Sequence, residues 1–269
     1  TTTGTQTYSG AVTLSGANRT LSGTTINTGS TVDGGGYSLT VTGNADVDGD
    51  ISNVNVLSVS GTSNLGANIT TTGTQTYNGA VTLGADTSLT TTNSLVWFKS
   101  TVGNSSARAM TISSGTGGVT FANTVGAGTA LGAISISGSG TTTFSGAVTA
   151  ASLSSGTGTT AINGGSVTTT GTQTYNGAVT LGADTTLSGT TINTGSTVDG
   201  GGYSLTVTGN ADVDGDISNV NVLSVSGTSN LGANITTTGT QTYSGAVTLS
   251  GANRTLSGTT INTGSTVDG

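Results

Sequence analysis

The sequence predicts an all-β chain, a parallel β-helix (β-solenoid) built from tandem repeats. Three observations predict it. Long stretches recur unchanged; apolar residues come in short i, i+2 pairs set off by turn residues; and the chain is rich in Thr, Gly and Asn while large apolar side chains are scarce. A self-stacking coil needs all three, because each repeat contacts only its neighbours and fills a narrow core with copies of itself.

The repeats come first. The phrase TTTGTQTY ends at Tyr8, Tyr77, Tyr175 and Tyr243. Residues 20–77 recur without change at 186–243, residues 70–87 at 168–185, and residues 1–34 at 236–269. The chain therefore reads as units 1–69, 70–167, 168–235 and a partial 236–269, together one continuous solenoid segment of a longer protein. Residue 1 falls inside a repeat, so targeting signals are expected elsewhere. The stretch from about Thr90 to Gly165 has no copy and holds Trp97, Lys99, Met110 and all three Phe.

Within each unit the strands follow from pairs such as Val12 and Leu14, Leu39 and Val41, Val81 and Leu83, and Ile134 and Ile136. Such alternation buries one face of a strand. Thr, Val, Ile and Tyr favour strands, and Gly and Asn favour the turns between them. No stretch carries the i, i+3, i+4, i+7 pattern of a helix. Asn78-Gly79 and Asn176-Gly177 also fit the two-residue turn of an antiparallel hairpin, so a meander or sandwich competes. The parallel coil explains more, since few large apolar residues are available to fill a sandwich. A coil of three strands needs roughly 18–24 residues, and coils stack at about 4.8 Å. The Tyr of each TQTY is expected to cap a corner or lie on the surface.

Composition excludes most chemistry. The chain carries Lys plus Arg 4, Asp plus Glu 11, no His, no Cys and no Pro, for a net charge of -7. Every acid is Asp. Without His, Cys or Glu the usual general bases, soft metal ligands and thiol nucleophiles are missing. Four basic residues cannot form a nucleic-acid face, and no apolar run is long enough to span a membrane. No catalytic, cofactor-binding or metal-binding residues are assigned, and no enzyme is expected.

Several motifs remain as candidates. Asp46, Asp48 and Asp50, copied at Asp212, Asp214 and Asp216, have the spacing of calcium carboxylates. An EF-hand loop would want Gly and Glu where Ile51 and Leu57 stand, and a strand with Val47 and Ile51 inward and the acids in water is the simpler reading. Asn18, Asn68, Asn104, Asn234 and Asn253 head N-x-[ST] triplets. Leu95-Val96-Trp97-Phe98-Lys99 is the densest apolar patch, either the filling of a wider coil or an exposed contact. Thr-x-Thr occurs at Thr5-Gln6-Thr7, Thr40-Val41-Thr42 and Thr206-Val207-Thr208. An ice-ordering face would need it at one phase in every coil, and along the chain it falls irregularly.

The phrases TTTGTQTYNGAVTLGADTTL at 168–187 and TISSGTGGVTF at 111–121 resemble bacterial filamentous-haemagglutinin-like and autotransporter-type surface proteins. The resemblance implies a right-handed parallel β-helix in a secreted or surface-attached fibre. The expected function is a non-catalytic structural shaft at the bacterial cell surface, of the adhesin or biofilm-matrix kind. Its partners would be neighbouring repeats, copies of the same protein, or a host or matrix surface. The alternatives are an adhesin with its contact in 90–165, a self-assembling filament, and ice binding.

Overall fold

The computed structural model describes all residues 1–269. The chain is all β with no helix, and parallel sheets stack as a β-solenoid of about 14 turns. The turns fall into two compact units, residues 1–141 and 142–269.

In the first unit one coil shows the construction. Leu57–Val59, Ser63–Leu65 and Ile69–Thr71 form three sides. The next coil repeats them as Gln75–Tyr77, Val81–Leu83 and Thr87–Thr91. Leu57 pairs with Gln75, Ser63 with Val81 and Ile69 with Leu89, all in parallel. Asn78-Gly79 is therefore a corner between two sides of one coil. The strands it joins bond to the coils before and after, and the hairpin alternative is overturned.

The side-chain alternation read from the sequence sets which atoms enter the core. In Val81–Leu83 the flanking Val81 and Leu83 are buried and the middle Thr82 is exposed. Buried residues stack on their equivalents. One ladder in the first unit runs Val32, Ile51, Ile69, Leu89, Ile112, Ile136. Another in the second runs Val179, Val198, Ile217, Ile235. A modest number of apolar residues suffices, because each covers its neighbours along the axis on both sides.

Coil length varies. Leu57 meets Gln75 eighteen residues on, whereas Val96 meets Val119 twenty-three residues on. The wider coils lie in the stretch without a copy, and aromatic rings fill them. The Phe98 ring stacks on Tyr77 at 5.2 Å and 11° and on Phe121 at 4.9 Å and 6°, within the range of favourable aromatic pairs.

The most repeated phrase closes a corner from inside. Thr71 Oγ1 donates to the Gly73 carbonyl at 2.6 Å. Gln75 Nε2 donates to the carbonyls of Ile69 at 3.2 Å and Thr90 at 2.9 Å, on successive coils. The Tyr77 hydroxyl donates to Gln75 Oε1 at 3.0 Å. The same bonds recur at Gln173 with Tyr175 and at Gln241 with Tyr243. Tyr77, Tyr175 and Tyr243 are fully buried and Tyr8 is half-buried, so the tyrosine serves the corner from the core side, which corrects the expectation of a surface tyrosine. A buried phenol must satisfy its O–H, and the Gln two residues earlier on the same inward face does so.

Glycine is required where coils touch backbone to backbone. Gly43 has φ +124, and a Cβ there would strike the Gly23 carbonyl oxygen; Gly209 repeats this against Gly189. An L side chain at either position would be strained and would separate the coils.

Candidate functional site

Two of the three carboxylates of the Asp46 segment are drawn to different partners. Asp46 is the next-to-last residue of the strand Leu39–Val47 and faces outward, half-buried. Its Oδ2 accepts from Asn27 Nδ2 at 2.9 Å and its Oδ1 from Asn64 Nδ2 at 2.8 Å. Asn27 and Asn64 stand on the coils before and after, so the three side chains form an amide–carboxylate–amide ladder. Asp50 Oδ1 instead accepts the backbone N–H of Asn68 at 2.9 Å, and Asp48 is exposed. The copy behaves alike: Asp212 bonds Asn193 at 3.4 Å and Asn230 at 2.8 Å, and Asp216 bonds the Asn234 N–H at 2.9 Å. No group of three or more acids stands where it could hold a metal ion. Val47 and Ile51 point inward as expected.

Asp33 makes a related link. Its Oδ1 accepts from the Gly35 N–H and from Asn53 Nδ2, each at 3.0 Å. These donors favour the ionised form and hold the Asp33 carboxyl below its ordinary value, with the Gly35 N–H the larger cause. Asp199 repeats the arrangement with Gly201 and Asn219.

The asparagines of the N-x-[ST] triplets serve the corners. The Oδ1 atoms of Asn18, Asn68 and Asn234 accept the backbone N–H of Ser38, Ser88 and Thr255, each at 2.9 Å and each one coil on. Asn104 is half-buried and donates to the Ala130 carbonyl at 3.4 Å, and Asn253 is exposed.

The Leu95–Lys99 patch divides by alternation. Val96 and Phe98 are fully buried, while Trp97 faces outward with Lys99 Nζ 4.3 Å from its ring centroid. Val96 and Phe98 fill the coil as expected, and Trp97, half-buried, lies on its outer side. Trp97 pairs with Thr76 and Thr120, so a single large aromatic stands in a column of small hydroxyl residues.

The Thr-x-Thr phrases acquire an order that the linear spacing hides. Thr206 and Thr208 face outward from one strand of the second unit. Thr186 and Ser188 lie directly below them, and Ser224 lies above Thr206 in unbroken parallel register. The Ser226 N–H bonds to the Val207 carbonyl at 3.0 Å, which sets Ser226 above Thr208. Sequence reasoning missed this because varying coil length scatters the motif along the chain. The usable signal was the broader pattern [ST]-x-[ST] around each buried apolar residue of this side.

A scan against protein-family models finds no match to the chain, and neither a search of curated proteins nor one of solved structures finds a match.

Proposed function

We propose that the chain is a non-catalytic structural segment of a secreted or cell-surface bacterial fibre, a shaft of the filamentous-haemagglutinin-like kind. One observation carries the reading. Residues 20–77 and 186–243 are identical in sequence and make the same bonds, from the Gln–Tyr pairs within a strand to the Asp ladders between coils. A unit that repeats with its bonds intact can be added without a new folding problem. The residue inventory supports a passive role. Acids are the only plausible catalytic groups, and Asp33, Asp46 and Asp50 are engaged by amides of neighbouring coils. The absence of Cys makes the shaft indifferent to redox conditions. An extracellular location and partners among copies or a matrix surface follow from the resemblance in repeat phrasing. Inserting a second copy of residues 1–235 tests the shaft. Electron micrographs should show particles lengthened by on the order of 50 Å, at about 4.8 Å per coil. Particles of unchanged length would overturn the reading.

A second reading is favoured by Trp97. A lone outward Trp with Lys99 over its ring suits a contact residue, and it lies in the stretch without a copy. If 90–165 carries an adhesive contact, Trp97→Ser lowers attachment to the target surface without lowering the melting temperature. Unchanged attachment would reject it.

A further inference from the structure

We propose that the hydroxyl face of the second unit is an ice-adsorbing surface. The face extends the arrangement around Thr206 and Thr208 by one coil at each end. Ser166 and Thr168 pair below Thr186 and Ser188. Thr242 pairs above Ser224, and the Ser244 N–H bonds the Val225 carbonyl at 2.9 Å, which places Ser244 above Ser226. Two columns of hydroxyls therefore cross five successive coils, with one row per coil and no slip.

Four features suit ice rather than ordinary hydration. The first is spacing. Rows repeat at about 4.8 Å along the axis and the columns stand about 6.6 Å apart, two residues along a strand. Those intervals lie close to the oxygen spacings of hexagonal ice, so water held by the hydroxyls occupies positions the crystal can share. The second is availability. The Ser226 hydroxyl accepts from the Gly209 N–H at 3.0 Å, and the other nine hydroxyls make no bond within the chain. The third is neutrality: every side chain in the two columns is Ser or Thr, so no charge imposes a competing hydration shell. The fourth is rigidity. Each row sits on a strand bonded to its neighbours and anchored by a buried residue between its two hydroxyls, such as Leu187, Val207, Val225 or Tyr243. A crystalline polysaccharide is the competing occupant. Flat aromatic rings are the usual platform for sugar faces, and this face has none, because Tyr175 and Tyr243 point into the core.

The first unit carries the same rows at Thr20 and Ser22, Thr40 and Thr42, and Ser58 and Ser60. There the next rows are Thr76 with Asn78, then Trp97 with Lys99. A half-buried Trp ring with Lys99 over it interrupts the hydroxyl rows, so the second unit should dominate adsorption.

The test is freezing-point hysteresis and ice-crystal shaping with the whole chain. The unaltered protein should depress freezing below melting and facet the crystals. Thr208→Tyr, which raises a ring at the centre of the lattice, should lose most of the hysteresis. Thr42→Tyr should lose less, and the pair together all of it. Thr82→Tyr combined with Thr180→Tyr, outward on another side of the coils, should leave hysteresis intact. Thermal melting confirms that each variant is folded. Absence of hysteresis in the unaltered protein would overturn the proposal, as would full hysteresis in the folded Thr42→Tyr/Thr208→Tyr variant. Co-sedimentation with crystalline cellulose without any effect on ice would replace it with a polysaccharide site.

Discussion

Residues 20–77 and 186–243 are one sequence in two places, and they differ in what is stacked on their last strand. In the first unit Gln75–Tyr77 is covered by Val96–Phe98, so Tyr77 meets the Phe98 ring. In the second, Gln241 and Tyr243 are covered by Ile261 and Thr263. The local bonds are the same: the Gln to carbonyls on two coils, the Tyr hydroxyl to the Gln. The surroundings diverge. One copy continues into wide coils with stacked aromatics inside and Trp97 on the outer side, and the other into a stretch without an aromatic ring. The interior of a coil is thus set by its own residues, while packing density and surface relief depend on the neighbour.

The largest test of that difference is Phe98→Ala. It removes a ring held between Tyr77 and Phe121 and should cost about 3–5 kcal/mol. Hydrogen exchange should show the loss around 75–121, with the copy at 241–243 unchanged; equal loss in both places would refute independence of the two regions.

Alkali should act on both copies. Burial pushes the Tyr77, Tyr175 and Tyr243 phenols far above their ordinary value. A raised folded pKa contributes stability that is complete below the unfolded value of about 10 and is lost as pH rises above it. Melting temperature should therefore fall above about pH 10. Tyr77→Phe should flatten that fall, at the cost of one hydrogen bond to Gln75. A melting temperature that stays constant as pH rises past about 10 would contradict the buried phenols.

Smaller still is the ladder. Asp46→Ala strands the amides of Asn27 and Asn64 and should cost about 1 kcal/mol. Asp212→Ala should cost less, since its bond to Asn193 is 3.4 Å against 2.9 Å for Asn27. Chemical denaturation of the two variants measures the order.

The smallest effect lies in acid. Asp33 and Asp199 are held below their ordinary value by N–H donors. Their stabilising share is present above the unfolded pKa and is lost as pH falls through the lower folded one. Both groups are exposed, so the acid decline below about pH 4 should be shallow. Asp33→Asn with Asp199→Asn should remove part of it.

Much of the fold was legible in the sequence. Pairs such as Val81 and Leu83 marked strands with one buried face, and the identity of 20–77 with 186–243 announced stacked units. The Asn78-Gly79 corner was ambiguous, because a tight corner and a hairpin turn ask for the same residues. The Gln–Tyr pair was misread for a related reason: tyrosine tolerates both water and core, and only the position of Gln75 beneath the Thr90 carbonyl shows which applies. Asp46 looked like part of a cluster with Asp48 and Asp50. Its real partners, Asn27 and Asn64, lie nineteen and eighteen residues away.

The sequence by itself determined the fold class, the repeating unit and the poverty of catalytic groups, since alternation, identity and composition are properties of the chain alone. Only the tertiary structure decided which residues share a face. Coil length changes from one turn to the next, and the inter-coil backbone bonds absorb each change at the corners. They bring Thr186, Thr206 and Ser224 into one column, and set Trp97 into the matching column of the other unit.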